Sequence, residues 1–169
     1  MNVKKPAALL VAATALLAGS TVSAAAAETG NRVVHTRSTA AASDVQQRID
    51  AVLAAQPGGR QVSANKVHYD GLDVTVYPAS KANQAKAAAL ACDYGWLCMN
   101  VRGTVFKYYK CQLWSVSNWY GDGDFVNNQM PGTVARFYNK DGRVRWTSTA
   151  YAAPRGTRSI TSVYYVRPC

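Results

Sequence analysis

The sequence predicts a mostly β protein: a sandwich of short strands in the second half of the chain, preceded by a small helix-plus-hairpin unit. Three observations point there. From residue 92 onward, short alternating runs follow one another between glycines, the pattern of an antiparallel sandwich or barrel. All four Trp, all three Phe and eight of the ten Tyr lie in residues 92–169, so that half builds an aromatic core rather than an aliphatic one. Upstream, a capped segment of helical period leads into two runs of strand period.

The elements follow in chain order. Lys4 and Lys5 precede an apolar run from Ala7 to Ala18, and small residues then lead to Val22-Ser23-Ala24. That is the order of an export signal, with cleavage expected between residues 24 and 27; the rival reading is an uncleaved N-terminal anchor. The apolar run is too short to span a bilayer, and no later run is apolar enough. Residues 25–42 lack hydrophobic period and are expected to form a disordered leader. At Ser43, with Gln46 three residues on, a capping box opens a helix. Val45, Ile49, Val52 and Leu53 share one face of it, and Pro57-Gly58-Gly59 ends it. Lys66–Tyr69 and Leu72–Tyr77 alternate about Asp70-Gly71, a hairpin signal that places Val67, Tyr69, Leu72, Val74 and Val76 on one buried face. These segments make an α+β unit over residues 43–77. Residues 78–91, rich in Ala and Lys, read as a linker with some helical tendency.

Beyond residue 92, strands are expected at Trp96–Val101, Thr104–Lys110, Thr133–Tyr138, Val144–Thr149 and Ser162–Val166, with Asn139-Lys140-Asp141-Gly142 as a hairpin turn. Trp96 and Trp146 are assigned to the core; Trp119 and Tyr120, next to Gly121, are balanced between core and surface.

Charge and cysteine usage narrow the class. Removing Lys4 and Lys5 from 19 basic residues leaves 17 against 9 acidic ones, a net charge of +8 for the exported chain. Such a balance attracts acidic surfaces and dictates no fold. Export excludes nucleic acid as the expected partner, and a secreted, extracellular monomer without stable membrane insertion is predicted. Cys92, Cys98, Cys111 and Cys169 form an even set in an exported chain, which reads as two disulfides. Three connectivities are open. Cys92–Cys98 with Cys111–Cys169 is preferred, because the first closes a tight local loop and the second ties the last residue to the body. A four-cysteine zinc site is the rival, but paired C-x2-C knuckles are missing.

Catalysis finds little support. His35 lies in the leader and His68 stands on a predicted strand facing away from Val67 and Tyr69; neither is near a candidate nucleophile. Asp122 and Asp124 are close in sequence, but nothing suggests an apolar pocket that would separate their pKa values. No enzyme and no cofactor are expected. Aromatic residues around a Gly-Asp-rich segment suit contact with a partner instead, and Arg143, Arg145, Arg155 and Arg158 form a basic cluster.

Together these features carry a family resemblance. They are "CDYGWLC" running into a strand, Cys111-x-x-Trp114, "WYGDGDFVNNQ", the "ARFYNKDGRVRW" hairpin, and "SITSV" before the terminal Cys. In this order they resemble the exported peptidase inhibitors of the streptomycete metalloproteinase inhibitor type, which are βγ-crystallin-like. The resemblance implies a Greek-key sandwich for residues 92–169 and inhibition of a secreted metalloprotease, a protein partner. It carries over no inhibitory residue, because the second short Cys-bounded segment that presents the reactive loop of the typified inhibitor has no counterpart here. The protease-binding loop is therefore expected on the Gly-Asp-rich segment from Trp119 to Gln129, with Trp119, Tyr120, Asp122, Asp124 and Phe125 as contact residues and Tyr120 and Phe125 as anchors. No metal is expected; a weak Ca²⁺ site at Asp122 and Asp124 is the alternative. Two other functions remain in view: a cationic protein, antimicrobial or otherwise, that binds cell wall, glycan or membrane, and a structural crystallin-like module.

Overall fold

The computed structural model describes residues 28–150 and 155–169, with side chains from residue 39 onward. The expected export signal lies outside the described residues. The chain is mostly β, with 41% strand against 23% helix, in two antiparallel sheets and two helices.

Helix α1 spans Glu28–Ala55. It starts upstream of the expected cap at Ser43, so the described part of the predicted disordered leader is helical. In this stretch Ala40, Ala41 and Ala42 favour the conformation, and no apolar stripe marks it in the sequence. Downstream of Ser43 the predicted face is the one that docks: Val45 and Ile49 are buried, and Val52 and Leu53 pack beside them. Strands β1 (Arg60–Ser63), β2 (Lys66–Tyr69) and β3 (Leu72–Val76) follow. The β2–β3 hairpin turns at Asp70-Gly71, and Val67, Tyr69, Leu72, Val74 and Val76 are all buried as expected. Gly71 has a φ of +116°, and a Cβ there would collide with the Lys110 side chain, so the turn needs glycine twice over.

Residues 78–91 are not a linker. A 3-10 turn (Ala79–Lys81) leads into helix α2 (Ala82–Leu90), whose Ala85 and Ala89 are buried against Val105. Alanine, one turn apart, lets the helix approach the sheet closely; its stripe is too weakly apolar to announce itself in the sequence.

Eight strands follow among the described residues: β4 (Trp96–Val101), β5 (Thr104–Tyr108), β6 (Trp114–Ser115), β7 (Asp122–Asn128), β8 (Val134–Tyr138), β9 (Val144–Thr149), β10 (Arg155–Ser159) and β11 (Tyr165–Arg167). One sheet has the order β1-β2-β3-β5-β4-β7-β10, the other β6-β11-β8-β9. The expected unit at 43–77 does not stand apart. β3 pairs with β5 from Leu72↔Tyr108 to Val76↔Thr104, and a single core runs from Val45 and Ile49 through Val74, Met99 and Phe125 to Phe137 and Val166. The hairpin extends the downstream sheet, and both halves share one apolar interior.

The indoles are placed differently from expectation. Trp114 and Trp119 are the buried ones, whereas Trp96 and Trp146 are half-buried. Trp146 lies flat on Phe137 at a centroid distance of 3.6 Å, at the margin of the core. Trp96 packs on Tyr109 at 4.8 Å. The cysteines pair as Cys92–Cys98 and Cys111–Cys169, with Cα–Cα distances of 5.8 and 5.4 Å.

Candidate functional site

The segment nominated as a protease-binding loop is mostly a strand. β7 lies inside the larger sheet, paired with β4 on one side and with β10 on the other. Its pleat turns Gly123, Phe125 and Asn127 inward. Gly123 lies so close to the Ile160 side chain and the Asn100 carbonyl that a Cβ would be crowded. Phe125 is 4% exposed and contacts Trp146, and Trp119 is 6% exposed and meets Phe106 edge-on at 5.2 Å. Neither can anchor a partner. Of the expected contact residues, Tyr120 and Asp122 are exposed. Gly-Asp-Gly-Asp carries the local marks of a turn, and only pairing on both edges makes it a strand.

Asp122 and Asp124 share the outer face of β7. Both oxygens of Asp124 already accept from protein donors: Thr157 Oγ1 at 2.8 Å and Asn100 Nδ2 at 3.3 Å. Lys86 Nζ stands 3.7 Å away. That constellation ties β4, β7, β10 and α2 together and leaves Asp124 few lone pairs for a hard cation. The arginines of the expected basic cluster are all exposed; Arg143 sits 3.5 Å from Asp141 in the β8–β9 turn, and Arg155 and Arg158 lie on the edge strand β10.

His68 faces outward from β2, with Nδ1 2.7 Å from Asp73 Oδ1, and Lys66 Nζ is 3.1 Å from the other oxygen. Burial pushes the Asp73 carboxyl up, but hydrogen bonds from His68 and Lys66 outweigh it and hold the pKa below the ordinary 3.8.

A different feature has the geometry of a contact tip. Tyr94, at the apex of the Cys92–Cys98 loop, is 64% exposed, and Met130, in the turn after β7, is 66% exposed. The two segments are bolted together. Gly95 N donates to Asn128 O at 2.7 Å, Asn128 Nδ2 donates to Cys92 O at 2.9 Å, and the disulfide closes the loop from behind. Beneath them, Asn127 is fully buried; its Nδ2 donates to Ser148 O at 2.8 Å, and its Oδ1 accepts from Gln129 Nε2 at 3.0 Å. Gln129 Nε2 also donates to Pro168 O at 2.5 Å. This network joins the larger sheet to β9 and to the C-terminus. Neither Tyr94 nor Met130 is among the contact residues expected from sequence; for Tyr94 the available signal is a bulky residue inside a short cystine loop, with six positions from Cys92 to Cys98.

Comparison with family models, with curated proteins and with solved structures gave no match.

Proposed function

We propose that the protein is a secreted inhibitor of extracellular peptidases, metalloproteases of the thermolysin kind foremost, and that it works as a crystallin-like wedge rather than as an enzyme. One observation carries this reading: two large apolar side chains, Tyr94 and Met130, protrude from backbone held by a disulfide and by the Asn127–Asn128–Gln129 hydrogen bonds. A blocking loop must fit a substrate cleft without paying to become ordered, and a pre-organised tip meets that condition. The disulfides and the expected export signal agree with action outside the cell.

The test is titration of a thermolysin-like protease with the oxidised protein. Residual activity should fall to zero near equimolar ratio, and Tyr94→Ala and Met130→Ala should each weaken inhibition about tenfold or more, as central anchors do. Full protease activity at large molar excess overturns the proposal.

The exposed arginines Arg145, Arg155 and Arg158 favour a second reading, binding to anionic cell-wall polymers or membranes. Retention on such a matrix would then fall steeply between low and high salt; salt-independent or absent retention counts against it.

A further inference from the structure

A cleft of about 320 Å³ opens at the opposite end of β4 from the Tyr94 tip, between α1, the β4–β5 turn and the loop before β7. Six residues of strand separate the two places, on the order of 20 Å. Val52, Val101, Phe106 and Trp119 supply an apolar lining, and Asp44, Arg48, Arg102, Asn118 and Tyr120 supply polar groups.

Three unusual features meet there. Arg102 and Asn118 both have positive φ, at 50° and 56°, and non-glycine residues held this way concentrate at functional sites. Arg102 with Gly103 forms the two-residue β4–β5 turn, both with positive φ, a place where Asn or Asp is the usual first residue. The result is that the Arg102 guanidinium lies 3.7 Å from the Tyr120 ring centroid. Lastly, the buried Trp119 Nε1–H has no acceptor.

The charges at the cleft are not equivalent. Arg48 is spent on structure. It donates to Asp44 Oδ2 at 3.3 Å, Tyr77 O at 2.9 Å, Arg102 O at 2.9 Å and Thr104 Oγ1 at 2.7 Å. It therefore neutralises Asp44 and pins the β4–β5 turn to α1. Among the described residues the Arg102 guanidinium has the Tyr120 ring and no carboxylate. A guanidinium lying on an aromatic face keeps its N–H edge free for bidentate bonding to an anion. The cleft thus presents one unpaired positive charge beside an apolar lining.

We propose that this cleft binds a carboxylate carried on a small apolar body, with Arg102 clamping the carboxylate and the half-buried Ala51 and Val52 receiving the apolar part above the buried floor of Val101 and Phe106. A peptide C-terminus ending in an apolar residue and a fatty acid share this chemistry. The proposal is independent of peptidase inhibition, which uses the Tyr94 tip.

Calorimetric titration of the oxidised protein with N-acetyl-L-leucine, N-acetyl-L-leucine amide and octanoate tests it. At least one carboxylate should bind with a dissociation constant of about 1 mM or tighter, an ordinary affinity for ligands of this size, and the amide should bind about tenfold more weakly or worse. Arg102→Gln should abolish the preference for acid over amide, and Tyr120→Ala should weaken the acid without affecting the Tyr94 tip. Binding of N-acetyl-L-leucine alone assigns the site to peptide ends, of octanoate alone to fatty acids, and of both to apolar carboxylates in general. Equal binding of acid and amide, no binding in the millimolar range, or unchanged acid binding by folded Arg102→Gln overturns the proposal.

Discussion

Asn127→Ala should be among the most damaging single changes outside the apolar core. The side chain is 0% exposed, and its amide makes three bonds: Nδ2 to Ser148 O at 2.8 Å and, at the long limit, to Thr133 O at 3.5 Å, and Oδ1 from Gln129 Nε2 at 3.0 Å. Truncation removes all three, leaves a small void and withdraws the link between the larger sheet and β9. Each buried hydrogen bond broken from one side costs about 1–3 kcal/mol, so a loss of about 2–4 kcal/mol is expected. For a domain of this size that lowers Tm by about 6–12 °C. Asn128→Ala is the internal comparison. Its side chain is half-buried and makes one bond, to Cys92 O, so about 1 kcal/mol is expected there. Urea unfolding followed by tryptophan fluorescence measures both, with an unchanged m-value as the check that the denatured state is the same. Asn127→Ala within 1 kcal/mol of wild type, or a larger loss from Asn128→Ala, would refute the network as the support of the tip.

Tyr108→Phe should be neutral or stabilising by about 1 kcal/mol, because the Tyr108 hydroxyl is buried without a partner and that desolvation is relieved in Phe; a clear loss in urea midpoint would show that the hydroxyl has a role. Burial also holds the Tyr108 pKa well above 10 and pushes Tyr69 up to about 12, so in an ultraviolet alkaline titration both should ionise after the exposed tyrosines. Removing Cys111–Cys169 should cost about 4 kcal/mol and removing Cys92–Cys98 about 2 kcal/mol, since the loops closed are 58 and 6 residues long; the reverse order in denaturation of the two double-alanine variants contradicts this. Asp73 has a lowered pKa in the folded state, so its contribution is present above its ordinary 3.8 and is lost as pH falls through the lowered value. Asp73→Asn should therefore flatten the acid limb of stability against pH, by less than about 1 kcal/mol for a surface group.

Sequence alone determined what local chemistry controls. The face Val45, Ile49, Val52, Leu53 follows from helical period, and the β2–β3 and β8–β9 turns from Asp-Gly and Asn-Lys-Asp-Gly, while the cystine connectivity stays open among three pairings until the structure brings Cys92 to Cys98 and Cys111 to Cys169. These signals depend on residues within a turn or a pleat of one another. Tertiary structure decided the rest. Gly-Asp-Gly-Asp-Phe becomes an inner strand because β4 and β10 satisfy its backbone from both sides, which buries Phe125 and disqualifies it as an anchor. Ala85 and Ala89 become a packing face only because Val105 lies opposite. The tip joins the segments that carry Tyr94 and Met130, and the cleft joins Arg102 to Tyr120, each from places far apart in the chain. Their proximity is created by strand pairing and by which backbone groups are left to be satisfied, and no short-range pattern records it.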